Sequence, residues 1–295
     1  MAAEPSTHHL DVPGAQLYYE VRGSGPLLLV VGQPMTSAWF SPLADLLAAD
    51  NTVVTYDPRG LGQSTVDDPS LDVTPEIEAD DLAWLVDAVG GGSANVFGSS
   101  GGAVAGLAFA TRHPGKVGTL VAHEPPVVQL LPDAPHVHAA VGGIEDAYRA
   151  AGAGAASQKF VSLVMHDGPV TEEGVPPVVW PPEGQAGAGA ADADSGEPPP
   201  APSEKQRADE ELFYLRMLRP FLRYEPRLDS LRLGRPDVVV AVGEASRREV
   251  ARRSAVALAE QLGTSPAVFP GDHGGFMTDP AAFADALRQV LTRTV

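Results

Sequence analysis

The chain has no cysteine among its 295 residues. Disulfides, thiolate nucleophiles, iron–sulfur clusters and cysteine-ligated zinc sites are thereby excluded. Long hydrophobic runs are also missing. The most apolar stretches, Leu27 to Val31 and Val238 to Val242, are far too short to cross a bilayer. Met1 to Gly14 has neither a basic start nor an apolar stretch, so no secretory signal is read there and a cytoplasmic location is expected. Basic residues are scarce: 20 Lys and Arg face 38 Asp and Glu, a net charge of −18. Phosphate recognition needs clustered cations, so neither nucleic acid nor an anionic membrane is an expected partner, and the acidity is read as solubility. Apolar material is plentiful, at 44% of residues, enough to bury one large core or two modest ones.

The first third alternates strand and helix patterns. Gln16 to Arg22 alternates like a half-exposed strand, and Leu27 to Val31 is continuously apolar, as in a strand buried on both faces. Ser37 to Ala49 has helical spacing, and Thr52 to Tyr56 is the next strand. Thr74-Pro75 opens a helix with an N-cap and a proline at its first position; Ile77, Leu82, Leu85 and Val89 are its expected inward stripe. Ala94 to Phe97 is a short buried strand, Gly101 to Arg112 a helix stopped by His113-Pro114, and Val117 to Ala122 another strand.

Beyond Glu124-Pro125-Pro126 the alternation gives way to helical patterns over His136 to Ala151, Phe160 to Met165 and from Ser203 onward. Ser203 and Gln206 fit a capping box, with Leu212, Leu215, Leu218 and Leu222 as the apolar face. Between them Gly168 to Lys205 packs nine Pro and six Gly into 38 residues, the composition of a mobile surface loop, not of core. Alternation resumes with Val238 to Val242, a helix over Arg247 to Leu262, a strand over Ala267 to Phe269 and a helix over Asp279 to Thr294. The expected fold class is therefore α/β: a mostly parallel sheet covered by helices, formed by residues 1–126 and 233–295. Residues 127–232 are expected to form an inserted helical lid that contains the flexible stretch 168–205.

Phe97-Gly98-Ser99-Ser100-Gly101-Gly102, set between a strand and a helix of small residues, fits the G-x-S-x-G nucleophile elbow, with Ser100 at its centre. The elbow is a strained strand-to-helix turn that lifts the hydroxyl clear of the sheet, and its glycines relieve the crowding. A strand, a Gly-rich turn and a helix also make dinucleotide sites, with Glu124 about where a ribose-binding acid would lie. Here the turn comes late in the domain, and Gly98-Ser99-Ser100 supplies no G-x-G.

A serine hydroxyl needs a base to take its proton, and the base needs an acid to orient it. The candidate base is His273, in the Gly-rich loop Pro270 to Gly275 after the last strand. For the acid, the place three residues after Gly243 is taken by Ser246, which holds no charge, and the choice lies between Glu124 and Glu244. Glu124 ends the strand after the elbow helix, on the same sheet edge, and is preferred. The oxyanion hole needs two backbone N–H groups: Gly101, just past the nucleophile, and one from the loop after Leu27 to Val31. In that loop Gln33 is the first choice and Gly32 the second; Pro34 has no N–H. His136 and His138 stand two apart, on different faces of a helix, and no metal is expected. Trp180 is open as a lid anchor or a pocket wall.

These residues together resemble an α/β-hydrolase over nearly the whole chain outside the Pro-rich stretch. Tyr56-Asp57-Pro58-Arg59-Gly60-Leu61-Gly62-Gln63-Ser64 resembles that family's structural D-x-R-G-x-G-x-S turn, and Asp279-Pro280 with Phe283 and Leu287 resembles its terminal helix. The elbow together with His123-Glu124-Pro125-Pro126 is similar to fungal zearalenone lactonases, a resemblance that implies Ser100, Glu124 and His273 as nucleophile, acid and base. Val31-Gly32 stands where many relatives have His-Gly, and the lid insertion is its own, so the resemblance does not carry a substrate.

The expected function is a cofactor-free serine hydrolase acting on a small apolar ester or lactone, with no metal. Carbon–carbon bond hydrolysis and cofactor-free perhydrolase chemistry use the same triad. A catalytically dead ligand-binding fold and an NAD(P)-binding oxidoreductase are the readings from other classes. The oligomeric state is open, a homodimer included.

Overall fold

The computed structural model describes residues 4–90, 92–178 and 201–293. In chain order the strands are β1 (Ser6–Val12), β2 (Ala15–Arg22), β3 (Leu27–Val31), β4 (Thr52–Tyr56), β5 (Thr65–Val66), β6 (Ala94–Ser99), β7 (Val117–His123), β8 (Asp237–Gly243) and β9 (Ala267–Phe269). They form one sheet in the order β1-β2-β4-β3-β6-β7-β8-β9, with β5 pairing to β2. The pairs from β4 through β9 are parallel, and β2 is antiparallel to β1, β4 and β5.

The helices of the sheet domain are α1 (Ser37–Leu47), α2 (Pro75–Val89), α3 (Gly101–Arg112), α9 (Val250–Leu262), α10 (Gly275–Thr278) and α11 (Pro280–Arg293). Because side chains alternate along a strand, each central strand feeds two cores. Leu29, Val31, Val96, Leu120 and Val242 pack with α2, α3 and α9 on one face. Leu28, Val30, Phe97, Val121 and Ala241 pack with Phe40 of α1, Phe276 of α10 and Phe283 of α11 on the other.

Between β7 and β8 lie α4 (Ala134–Ala151), α5 (Ala153–Val164), α6 (Glu204–Leu212), α7 (Leu218–Leu222) and α8 (Leu228–Leu231). α6 runs into α7 through a single π turn, Phe213–Met217, and Ser203 with Gln206 forms the expected capping box. These helices close over a second apolar cluster with Val137, Ile144, Leu163, Phe213 and Met217. They are tied to each other and to the sheet domain by charge. Arg219 makes two 2.6 Å bonds to Glu145 of α4, and Arg253 of α9 grips Asp133 at 2.8 and 2.9 Å. Gly62 N–H donates to Asp209 at 3.1 Å.

The structure corrects several expectations. The stretch around His8-His9, read as a tail, is the edge strand β1, whose histidine rings pack on Tyr19 and Tyr18. Its burial pattern is nearly all exposed, so no apolar alternation announces it. The inner face of α2 runs through Glu78, Ala79, Leu82, Leu85 and Val86, while Ile77 and Val89 are only half-buried. On the lid helix Leu215 is half-buried and Phe213 and Met217 are buried instead, because the π turn adds a residue and rotates the face. Phe221, Tyr224 and Leu231, assigned to the lid, belong to the core beside α3. The stretch 168–205 is not all loop surface. Val170 is 1% exposed and its N–H donates to Asp133 at 2.7 Å. Most of that stretch, Trp180 included, lies outside the described residues.

The Tyr56 to Ser64 turn is structural, as expected. Asp57 accepts from Ser37 N–H, Ser37 Oγ and Gln63 N–H, and Arg59 makes a bidentate pair with Asp81 at 3.0 and 2.6 Å.

Candidate active site

The chain order β3-β4-β6 places β6 on the far side of β3 from β4. The carboxyl ends of β3 and β6 therefore flank the point where the strand order reverses, the place where sheets of this kind open a crevice. Ser100 caps α3 there with φ 56° and ψ −125°, a conformation that L-residues rarely adopt. Its neighbours explain the glycines. A Cβ on Gly98 would lie 2.6 Å from the Gly102 carbonyl oxygen, and one on Gly102 only 2.2 Å from that of Val31. A Cβ on Gly101 would meet the Gln33 carbonyl at 2.7 Å. The spacing is thus a steric demand of driving α3 against β3. Ser100 is half-buried, and its N–H donates to His123 O at 3.0 Å.

Glu124 is 1% exposed and has φ 47°, a second strained residue at the edge of the sheet. One carboxylate oxygen accepts from Gly243 N–H at 3.0 Å, and the other faces His273 Nδ1 at 2.7 Å. Burial alone would raise the Glu124 pKa. The hydrogen bond and charge of His273, with His123 and the Ser246 hydroxyl, outweigh it and bring the group down to about 2. Ser246, standing where a triad acid was looked for and not found, faces the carboxylate it replaces. Glu244 is exposed.

His273 sits in the loop between β9 and α10, pinned to the loop after β8 by Ala245 N–H donating to Gly271 O at 2.9 Å. Its ring is about one-third exposed and points into a cavity that Ser100, Gly101 and Gln33 also line. No hydrogen bond joins Ser100 Oγ to His273 in this structure; the two share the cavity wall.

The cavity is about 70 Å3 and otherwise apolar, walled by Phe160 and Leu163 of α5, Phe213, Leu218 and Phe221 of the lid helix, and Val250 of α9. Gln33, the first choice for the second oxyanion donor, is 3% exposed and lines it. Gly32 does not. Its Cβ would sit 2.4 Å from the Phe40 ring, so its part is to let the chain pass. A larger groove of about 690 Å3 runs along α2 and contains none of these residues. Among the described residues no group of three His, Asp or Glu could hold a metal.

One neighbour was missed. His123 is fully buried, 6.2 Å from His273 ring to ring, in a box of Phe97, Phe269 and Phe283. Burial, helped by His273 and opposed by Glu124, lowers it to about 4, so a neutral ring floors the His273–Glu124 pair. It lies next to Glu124 in sequence, but nothing in that spacing told its side from the opposite one.

The fold and the elbow define a class, and comparison with known proteins agrees. A family model for the alpha/beta hydrolase fold matches residues 25–207, and the chain belongs to that family. It is 43% identical over 123 residues to YraK of Bacillus subtilis, named an uncharacterized hydrolase, covering 41% of this chain and 45% of that protein. The chain thus spans less than half the length of the curated relatives it matches. The structure is similar to that of a thermophilic esterase from Thermogutta terrifontis, at 20% identity with TM-score 0.68 and 99% of both chains covered. It is also similar to Est816, described as an N-acyl homoserine lactone degrading enzyme, at 19% identity with TM-score 0.63 over 96% and 99% of the two chains.

Proposed function

We propose that the protein is a serine hydrolase of carboxylic esters or lactones with a short acyl or alcohol group, working through an acyl-enzyme. The observation that carries the reading is the 2.7 Å bond between Glu124 and His273, which turns His273 toward the cavity that holds Ser100. With Nδ1–H donated to Glu124, the imidazole has its free lone pair on Nε2, the atom that takes a proton from a serine. Ser100 Oγ adds to the substrate carbonyl as His273 accepts its proton. The new oxyanion is held by the Gly101 and Gln33 N–H groups. His273, steadied by Glu124, returns the proton to the leaving oxygen. A water then enters, gives its proton to His273 and releases the acid. Serine–histidine hydrogen bonds are often long before substrate is bound.

The size of the cavity supports the short substituent. At ~14 Å3 per water-sized sphere, about 70 Å3 takes about five non-hydrogen atoms. The apolar walls favour an uncharged group. The esterase and lactone-degrading neighbours are consistent with either form of the bond.

A fluorophosphonate probe tests this directly. The adduct is expected on Ser100 by mass spectrometry, together with faster turnover of p-nitrophenyl butyrate than of the octanoate. Labelling on Ser99, which is buried against His123 Nδ1, or no label on protein that turns over esters, would overturn the assignment.

A further inference from the structure

Glu78 takes no part in the steps above, yet it stands directly under them. It lies on the inner face of α2 among Ala79, Leu82 and Leu85, is 0% exposed, and neither of its carboxyl oxygens has a hydrogen-bond partner. The groups that face it are the Gln33 side-chain amide from the loop after β3, the Tyr56 hydroxyl at the end of β4, Asp81 of its own helix, and Arg59. Tyr56 is 2% exposed and its hydroxyl is likewise without a partner. Arg59 is already held by both oxygens of Asp81, so Glu78 has no cation of its own.

A buried carboxylate without a cation is costly, and such a group keeps its proton instead. Burial, reinforced by Asp81, pushes Glu78 well above the usual carboxylate range. It also pushes the Tyr56 phenol upward. A neutral carboxyl has one donor and one acceptor, which an ionised one lacks. Above it lies the Gln33 amide, whose Nε2 donates to Met217 Sδ of the lid at 2.9 Å. The amide is thus enclosed between the lid and Glu78, and it springs from the same Cα as the N–H that faces the cavity.

We propose that Glu78 is a positioning residue for the oxyanion hole: as an uncharged acid it grips the Gln33 side chain from below and so aims the Gln33 backbone N–H at the substrate oxygen. The proposal rests on the hydrolase reading above. Losing one oxyanion donor outright costs about 10²- to 10³-fold in kcat. Loosening one while leaving it present is expected to cost about tenfold to a hundredfold, with KM within about twofold, because the effect appears only when the oxyanion forms.

Three variants test it, each measured for kcat and KM on p-nitrophenyl butyrate and for melting temperature. Glu78→Met fills the same space without a polar group; it should fold at least as well as wild type and lose about tenfold or more in kcat. Glu78→Gln keeps a neutral donor and acceptor in the same shape and should recover most of that loss. Gln33→Met keeps the backbone N–H and removes only the gripped amide, so it should lower kcat like Glu78→Met, and the double variant should lose little more than either. A stable Glu78→Met with wild-type kcat overturns the proposal. So does a loss confined to KM, a Glu78→Gln as slow as Glu78→Met, or strictly additive losses. Should Glu78→Met fail to fold, an unchanged kcat in Gln33→Met refutes it alone. A wild-type chain that neither labels at Ser100 nor turns over any ester removes the hydrolase reading, and this proposal with it.

Discussion

Replacing Glu124 by Gln would reverse the polarity of the His273 contact. Gly243 N–H donates to one Glu124 oxygen at 3.0 Å, so the amide oxygen of the new residue must stay there. The amide NH2 then occupies the place of the other oxygen, 2.7 Å from His273 Nδ1. Two donors cannot face each other, and His273 must move its proton to Nε2. That tautomer has no lone pair for the Ser100 proton, and the imidazolium formed later loses its counter-charge. The expected loss is about 10³- to 10⁴-fold in kcat, or about 4 to 5.5 kcal/mol at ~1.4 kcal/mol per decade. KM should change little, because Glu124 stands behind His273 and does not line the cavity. The fold should survive. The lowering of Glu124 from 4.5 to about 2 bounds the lost stability at about 3 kcal/mol. Steady-state turnover of p-nitrophenyl butyrate, with circular dichroism melts to choose a temperature below unfolding, reads both quantities. Exposed Glu244→Gln is the control and should stay within about 0.5 kcal/mol in either. A Glu124→Gln enzyme within tenfold of wild type, or a matching loss in Glu244→Gln, would refute the reasoning.

Other expectations follow from the same geometry. His123 and Glu124 both bind protons less readily in the folded chain, so the unfolded state takes up protons first and stability falls as pH drops. The fall should begin near pH 6.5 through His123 and continue from pH 4.5 to about 2 through Glu124, as read by urea melts across pH. Glu124→Gln should flatten only the lower part of that slope. Gly102→Ala would place a Cβ 2.2 Å from the Val31 oxygen; a loss of about 2 to 3 kcal/mol in chemical melts is expected, and an unchanged midpoint would mean α3 does not press on β3. Phe160→Ala opens the cavity wall, and kcat/KM for the octanoate over the acetate should rise about tenfold, at ~1 to 3 kcal/mol per accommodated methylene.

The parts of the site that could be read from the chain are those where sterics leave one residue type. Gly98, Gly101 and Gly102 are glycines because backbone oxygens stand within 2.8 Å of where their Cβ atoms would be, and that demand is visible as a motif. Glu124 was found through the neutral Ser246, which removed the alternative. Residues that act through tertiary contact left no such mark. Edge strand β1 is solvent-facing and lacks alternation. Glu78 reads as a polar position on an amphipathic helix until β4 and the loop after β3 are placed over it. The π turn of the lid has no signature among Phe213 to Met217, where every residue is an ordinary helix former.

That turn has a further consequence. An α-helix advances about 100° and 1.5 Å per residue, so removing any one residue between Phe213 and Met217 would return the helix to its regular winding and rotate everything after it. The Met217 sulfur would leave Gln33, Leu218 and Phe221 would swing off the cavity, and Arg219 would part from Glu145. What the pocket shows its substrate is therefore set by a count as much as by composition. A lineage could re-line this pocket by gaining or losing one residue there, with every side chain otherwise kept.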